Sequence, residues 1–231
     1  MQVGINKRLS QGLNFQVSYT WSKWMDAISY LNNQDLITTR PEATLDPQDA
    51  THRVILSGNW ALPIFKNAHG FLGVLLKGWQ ANGIFTRESG FPLGAPSGYY
   101  SSGISPALAD STDTRFFNTC TLTTTGVRQN CASADEPVAW IQQPPDTIRT
   151  LSREISSIRT PKIPNVDCSL FKAFALRENL RMQFRAEAFN ATNSPQLGTP
   201  STSLTSATAG LVNPSQTNDP RAIQLALKLM F

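Results

Sequence analysis

The sequence predicts an all-β protein, an antiparallel up-and-down transmembrane β-barrel of which this chain holds about seven strands with long extracellular loops. Three observations predict it: a long alternating segment at the end of the chain, further segments with the same alternation, and connections that alternate between short and long. In residues Arg221–Phe231, apolar side chains occupy every second position, with Gln224 and Lys228 on the other face. A period of two indicates a strand. A tilted strand needs about 9 to 11 residues to cross a bilayer, and an ordinary strand averages about 5 to 6, so this length favours a membrane strand.

Seven segments of the chain show this alternation. The clearest is the second, in which Leu13, Phe15 and Val17 alternate with polar residues. The fifth is less regular, because Phe171 and Lys172 break the simple pattern. The predicted strands are Met1–Asn6, Leu13–Ser22, Arg53–Ala61, Leu75–Glu88, Val166–Phe174, Leu180–Phe189 and Arg221–Phe231.

The lengths of the connections predict how the sheet is oriented. Three connections are short, Lys7–Gly12, Leu62–Gly73 and Ala175–Asn179, and the long ones cover about 24–52, 89–165 and 190–220. Outer-membrane barrels have short periplasmic turns and long extracellular loops. If Phe231 lies at the periplasmic end, every short connection is periplasmic and every long one extracellular. A soluble sandwich gives no reason for this sorting, and structureless loops of such length are uncommon in compact domains.

Composition excludes a helical membrane protein and argues against nucleic-acid binding. Charged residues make up 16% of the chain, against about 25% in typical soluble domains. The longest apolar run, Phe71–Leu76, is far shorter than the roughly 18 residues of a transmembrane helix. The net charge is +4, but the basic residues are spread along the chain and not clustered as a nucleic-acid footprint would be.

No signal peptide opens the chain, since Met1–Asn6 already alternates, so we expect Met1 to be an internal methionine.

The three cysteines divide into a pair and a single residue. Cys120 and Cys131 lie in a polar stretch, and Cys168 lies in a predicted strand. In an oxidising compartment the pair is expected to form a disulfide that closes a small loop. The alternative is two unrelated surface thiols.

Six segments of the sequence resemble a known family in their order along the chain. They are Ser18–Lys23, Asp49–Arg53, Gly78–Pro92, Asp167–Lys172, Arg181–Asn190 and Pro220–Leu229. Together they resemble the C-terminal barrel of Oar-like TonB-dependent outer-membrane receptors, which carry an N-terminal carboxypeptidase-regulatory-like domain. The similarity spans essentially the whole chain, with a departure at Asn190–Pro195, where the family would have a Leu-Phe pair after the first Asn.

The resemblance implies a location in the bacterial outer membrane and a barrel of about 22 strands with a plugged lumen. It implies import of a bulky nutrient, such as a siderophore, an oligosaccharide or a peptide-like compound, powered by the TonB complex. The plug and the TonB-contacting segment would lie upstream. Seven strands alone would expose two unpaired edges to lipid, so we expect a C-terminal fragment, either from a truncated gene or as one piece of a split barrel. Its expected partners are outer-membrane lipid, the N-terminal strands and plug, TonB, and the barrel-assembly machinery, with Phe231 as the assembly signal.

Two groups of side chains are candidates for contact with a plug or a solute. The first lies on the polar faces of the last two strands and would pair with a plug or line a solute path; it comprises Arg181, Gln183, Arg185, Glu187, Gln224 and Lys228. The second is a set of aromatic residues in the longest loop that would stack on a ligand, with internal packing as the alternative; it comprises Tyr99, Tyr100, Phe116, Phe117 and Trp140.

No catalytic or metal site is predicted, and no cofactor. His52 and His69 are the only histidines, and neither has metal-ligand spacing to the other or to the cysteines. The group of Asp49, His52 and Arg53 is better explained as a hydrogen-bonded anchor for a loop than as an acid–base pair. Two alternatives to a transport receptor stay open: a non-energised outer-membrane porin or adhesin, and a soluble β-sandwich binding module.

Overall fold

The structure is a computed structural model that describes residues 1–10, 12–27, 43–64, 67, 69–161 and 163–231. Residues 28–42 of the first predicted long loop lie outside the described part. The strands are β1 (Gln2–Ser10), β2 (Leu13–Trp21), β3 (Met25–Asp26), β4 (Thr44–Leu45), β5 (His52–Ala61), β6 (Trp79–Glu88), β7 (Pro92–Gly94), β8 (Tyr99–Ser101), β9 (Ala107–Thr112), β10 (Arg115–Phe117), β11 (Thr121–Leu122), β12 (Arg128–Gln129), β13 (Trp140–Gln142), β14 (Glu154–Arg159), β15 (Ile163–Arg177), β16 (Leu180–Phe189) and β17 (Ala222–Met230). In the described part of the chain, a helix, α1 (Gly70–Leu76), lies between β5 and β6.

Seven strands form one antiparallel sheet in the order β1-β2-β5-β6-β15-β16-β17. Every neighbour in the sheet is the next of these strands along the chain, which is the up-and-down arrangement predicted from the alternating segments. All seven predicted strands are present, with shifted ends. Within the described residues, β1 and β17 each have one neighbour, so the sheet has two open edges.

Three of the predicted strands differ from the observed ones by several residues at their ends. The first continues to Ser10, into the predicted Lys7–Gly12 connection. The fourth strand begins at Trp79 and not at Leu75, because residues Gly70–Leu76 form helix α1. The fifth runs over 15 residues, Ile163–Arg177, and passes through the irregular pair Phe171 and Lys172. The pairing of β15 with β6 and β16 is unbroken there, since backbone ladder bonds do not depend on side-chain polarity.

The register gives the sheet one apolar and one polar face. Val17 is opposite Leu56, Leu56 is opposite Phe85, and Phe85 is opposite Val166. Because opposite residues in adjacent strands share a face, the alternating apolar positions of the strands fall on the same side, with Ile55, Ile84 and Phe171 as exceptions on the other face. This apolar face is exposed in the structure: Leu225 and Leu227 are each 68% exposed. Among the described residues, no helix is long and apolar enough to span a membrane.

The buried hydrophobic core lies outside this sheet. It consists of Leu93, Tyr99, Phe117, Ala139, Trp140, Ile158 and Leu204. These residues belong to the long connections after β6 and β16, at the sheet end where Trp21 pairs with His52. We call the described residues of the three long connections the loop module. It contains the short strands β3, β4 and β7–β14, so the long connections are folded where the sequence predicted irregular loops.

Candidate functional site

The polar face of the sheet carries rows of amide, hydroxyl and carboxylate side chains. One row crosses six strands without an apolar interruption: Asn14, Asn59, Asn82, Ser169, Glu187 and Gln224. Within it, the Asn82 amide donates a hydrogen bond to Ser169 Oγ at 3.4 Å. Such a row presents hydrogen-bonding groups to water, to a solute or to another polar protein surface.

A hollow of about 730 Å³ lies along this face. Its lining includes Asn6, Gln16, Asn82, Asp167 and Glu187, from five different strands. A hollow of this size leaves room for another protein surface to cover the polar face of the sheet, or for a hydrated solute to pass along it.

The structure places the candidate residues of the last two strands together on this polar face. Gln183 is opposite Lys228, and Glu187 is opposite Gln224. The Arg185 Nε donates to Gln183 Oε1 at 2.9 Å, and the Arg185 guanidinium lies 5.0 Å from the Phe171 ring centre. In the described part of the chain, the structure gives none of Arg181, Gln183, Arg185, Glu187, Gln224 and Lys228 an ion pair.

Most of the candidate loop aromatics are packing residues. Tyr99, Phe117 and Trp140 are 8%, 0% and 1% exposed, so in this arrangement they have no surface to offer a ligand. The rings of Phe117 and Trp140 meet edge to face, and Trp140 Nε1 donates to the Asn118 carbonyl at 2.7 Å. For these three residues the structure favours internal packing, the alternative that the sequence left open.

The other two aromatics are half-buried. Phe116 packs against the same core, and the Tyr100 hydroxyl donates a hydrogen bond to Thr147 Oγ1 at 2.7 Å. Of the five aromatics, Tyr100 is the one that is outside the core cluster and its partly buried rim.

A disulfide joins Cys120 and Cys131 inside the loop module. Cys120 is fully buried, and Arg115 forms an ion pair with the neighbouring Glu136. Glu136 lies close enough to both sulfurs to complete a group of three possible metal ligands, but the two sulfurs are bonded to each other. Cys168 is a free, exposed thiol, and its pairing with Gly83 puts it on the apolar face.

Asp49 connects the first long connection to the second. Its side chain accepts hydrogen bonds from the Trp24 backbone N–H at 2.7 Å, from Thr51 Oγ1 at 3.0 Å and from Arg159 Nη2 at 2.8 Å. Arg159 also donates to the carbonyls of Asp49 and Gly90. Burial works to raise the pKa of Asp49, but these hydrogen bonds and the Arg159 charge outweigh burial and lower it below 3.8.

The sequence indicated the anchoring role of Asp49 but not its main partner. His52 is not part of this group, since its Nδ1 lies 2.8 Å from the Tyr19 hydroxyl. Arg53 lies 3.5 Å from Glu88 in a separate ion pair. Arg159 is 110 positions from Asp49, and nothing in local spacing connects the two residues.

Asn190 closes the third long connection at the segment where the sequence departs from the resembling family. Its backbone N–H donates to Asp167 Oδ1 at 2.8 Å. Its side-chain amide donates to the carbonyls of Ser194 and Asp219, from the two ends of the connection. The residue has a positive φ of 46°, a conformation that Asn tolerates better than most residues.

Glu154 is a second buried carboxylate of the loop module with the opposite behaviour. Burial raises its pKa; Arg153, 3.6 Å away, acts to lower it, and Asp46 acts to raise it. The two buried carboxylates therefore differ: the surroundings of Asp49 stabilise its charged form, whereas those of Glu154 destabilise its charged form.

Comparison with known proteins identifies the kind of domain. The model of a family described as an outer membrane beta barrel domain matches residues 1–224. The chain belongs to this family. Neither a curated protein nor a solved structure matches the chain.

Membership of the outer membrane beta barrel domain family assigns the two faces of the sheet. The domain is located in the bacterial outer membrane, where barrel strands are apolar toward lipid and polar toward the lumen. The exposed apolar face is therefore the lipid side, and the row from Asn14 to Gln224 faces the lumen.

The two carboxylates generate a prediction about pH. Because the folded pKa of Asp49 lies below the unfolded value, its contribution is present above about pH 4 and is lost as pH falls through the folded pKa. Asp49→Asn should destabilise the loop module at pH 7 by about 3 kcal/mol, the cost of breaking a buried pair. Glu154→Gln should be neutral or stabilising at pH 7, since the folded state no longer holds a buried charge. Hydrogen exchange of loop-module amides at pH 7, and limited proteolysis across pH 3 to 7, measure both effects.

Wild-type protein is the reference at each pH. Equal destabilisation by both substitutions at pH 7, or no loosening of the wild-type module on acidification, would contradict this account.

Proposed function

We propose that this chain forms the C-terminal part of the barrel of an Oar-like TonB-dependent receptor that binds and imports a bulky nutrient. Its lumen wall would face a plug domain supplied by another segment, and TonB would act on that plug. The nutrient class stays open between siderophore, oligosaccharide and peptide-like compounds.

The observation that carries the proposal is the open, polar-faced sheet. The pairing of the described strands leaves one side of β1 and one side of β17 without a ladder partner. In lipid, each unpaired backbone group costs several kcal/mol, so we propose that further strands pair with both edges. A hollow of about 730 Å³ over the lumen face supports a wide barrel, since small barrels fill their interior with their own side chains.

The charges of the lumen face support contact with a plug. Arg185 and Glu187 are half-buried and without ion pairs in the described residues. A polar plug surface would supply the complementary groups, and the resemblance to TonB-dependent receptors agrees with such an arrangement. A non-energised porin would leave these groups to water.

The prediction for the plug uses one lumen residue and one control. In the full-length protein, Arg185→Glu should weaken plug contact and admit large hydrophilic antibiotics into cells, because it reverses a charge on the wall. Arg221→Glu makes the same change outside the strands and should leave the barrel closed. Antibiotic susceptibility and single-channel conductance in planar bilayers measure the effect. We expect the wild-type protein to be closed in both assays and to bind the periplasmic domain of TonB. A steadily conducting wild-type protein that does not bind TonB would mean that the barrel is a porin.

Phe231 is part of the same proposal as a contact for the barrel-assembly machinery. It is 96% exposed and follows directly on β17. Phe231→Asp should block insertion of the full-length receptor, whereas Phe231→Tyr keeps the aromatic ring and should insert. Heat-modifiable mobility of outer-membrane fractions on gels measures insertion, and normal insertion of the Asp variant would refute this role.

A further inference from the structure

Helix α1 is an apolar element whose side chains are largely exposed. Its exposed side chains are Phe71 (77%), Leu72 (62%), Val74 (60%) and Leu75 (40%). Its buried residue is Gly73. Contiguous exposed apolar groups of this kind indicate an interaction site.

The helix belongs to the short-connection end of the sheet. It joins β5 to β6, at the sheet end opposite the loop module. Short connections of outer-membrane barrels lie on the periplasmic side. The helix is therefore next to the inner leaflet of the outer membrane.

Two side chains of the lipid face hold the helix against the outside of the wall. Trp79 Nε1 donates to the Leu75 carbonyl at 3.1 Å, and the Lys172 ammonium donates to the Lys77 carbonyl. These carbonyls belong to the end of the helix, where carbonyl groups lack intrahelical donors. Both donors lie on the lipid side, since Trp79 and Lys172 are register partners in the row that continues to Phe184.

Lys172 explains why the helix adopts this position. Its side chain is 2% exposed on an apolar face, with its ammonium 5.5 Å from the Trp79 ring centre and 5.0 Å from the Phe174 ring centre. A lysine facing lipid is costly unless it has a hydrogen-bond partner. The Lys77 carbonyl supplies one, so the helix end covers the charge while the apolar side chains stay exposed.

We propose that α1 is an interfacial anchor whose exposed side chains enter the acyl boundary of the inner leaflet. The occupant of this surface is phospholipid, because the helix continues the lipid face beyond the end of β6 and β15. Interfacial helices bury their apolar side chains to about 5–10 Å in this zone. Trp79 fits the same level, where interfacial tryptophans of membrane proteins are enriched. This inference depends on the family and on the contacts of α1, and not on TonB or transport.

The experiment places a fluorescent reporter on the helix in the full-length protein. The free thiol is removed by Cys168→Ala, the Cys120–Cys131 disulfide is kept oxidised, and Phe71→Cys is labelled with an environment-sensitive dye. The matched control is Glu178→Cys, an exposed position in the short β15–β16 connection at the same end. Both proteins are reconstituted in phosphatidylethanolamine–phosphatidylglycerol vesicles, with nitroxide-labelled lipid or aqueous cobalt as quencher.

We expect lipid nitroxide to quench the label at position 71 several-fold more than the label at position 178, and cobalt to show the reverse order. Quenching of position 71 by cobalt alone would overturn the proposal. Protection of position 71 from both quenchers would also overturn it, because a protein surface would then cover the helix. If Phe71→Cys does not assemble, Val74→Cys on the same helix answers the same question.

Discussion

The in-phase register of the seven-stranded sheet is the constraint on which the rest of the structure depends. Side chains alternate with a period of two, so a slip of one residue would move every apolar side chain of a strand to the lumen. The central pairings, such as Leu56 with Phe85 and Ala186 with Leu225, show no slip. Irregularities of the long ladders occur next to two of the short turns, between Lys7 and Ser10 and between Ala175 and Arg177. At these positions the strands are about to end, so a change of register displaces few side chains.

A consequence is that the sheet does not supply a hydrophobic core. Its apolar face contacts lipid and its polar face contacts the lumen. Close packing of buried side chains is found instead in the loop module, around Phe117 and Trp140. The module holds together by other means as well: the Asp49–Arg159 pair joins its first two connections, and Asn130 donates to the Leu204 carbonyl to join the second to the third. Gly90 permits the close approach beside this pair, since a Cβ there would lie 1.8 Å from the Thr160 carbonyl oxygen.

The sequence allowed the sheet to be predicted because alternation and connection length are local properties. The alternation of Ile223, Leu225 and Leu227 shows which face of the strand is apolar, and no partner strand has to be known for this. The loop module could not be predicted in the same way. Tyr99, Phe117 and Trp140 are as compatible with a binding surface as with a core, and only tertiary packing decides between them. Arg159 became the partner of Asp49 through chain folding over 110 positions, which no spacing rule detects.

Helix α1 shows the same limit at the other end of the sheet. Leu75 of the helix and Trp79 of β6 both fit the apolar alternation of a strand, which is why a strand from Leu75 was expected. In the structure the strand begins at Trp79, and Gly70–Leu76 form a helix. At the end of this helix, the Leu75 carbonyl accepts a hydrogen bond from Trp79 and the Lys77 carbonyl accepts one from Lys172. A lysine on a lipid-facing position was the signal in the sequence, because such a charge requires a partner.

The central claim, one register with lipid and lumen on opposite faces, is tested most directly by single-cysteine accessibility along β17 in outer membranes. With Cys168→Ala as background, each residue from Ala222 to Leu229 is replaced in turn by cysteine and reacted with a membrane-impermeant and a lipid-soluble maleimide. The account predicts reaction with the lipid-soluble reagent at positions 223, 225, 227 and 229, and with the impermeant reagent at positions 222, 224, 226 and 228. A pattern without a period of two, or with the two faces exchanged, would contradict it.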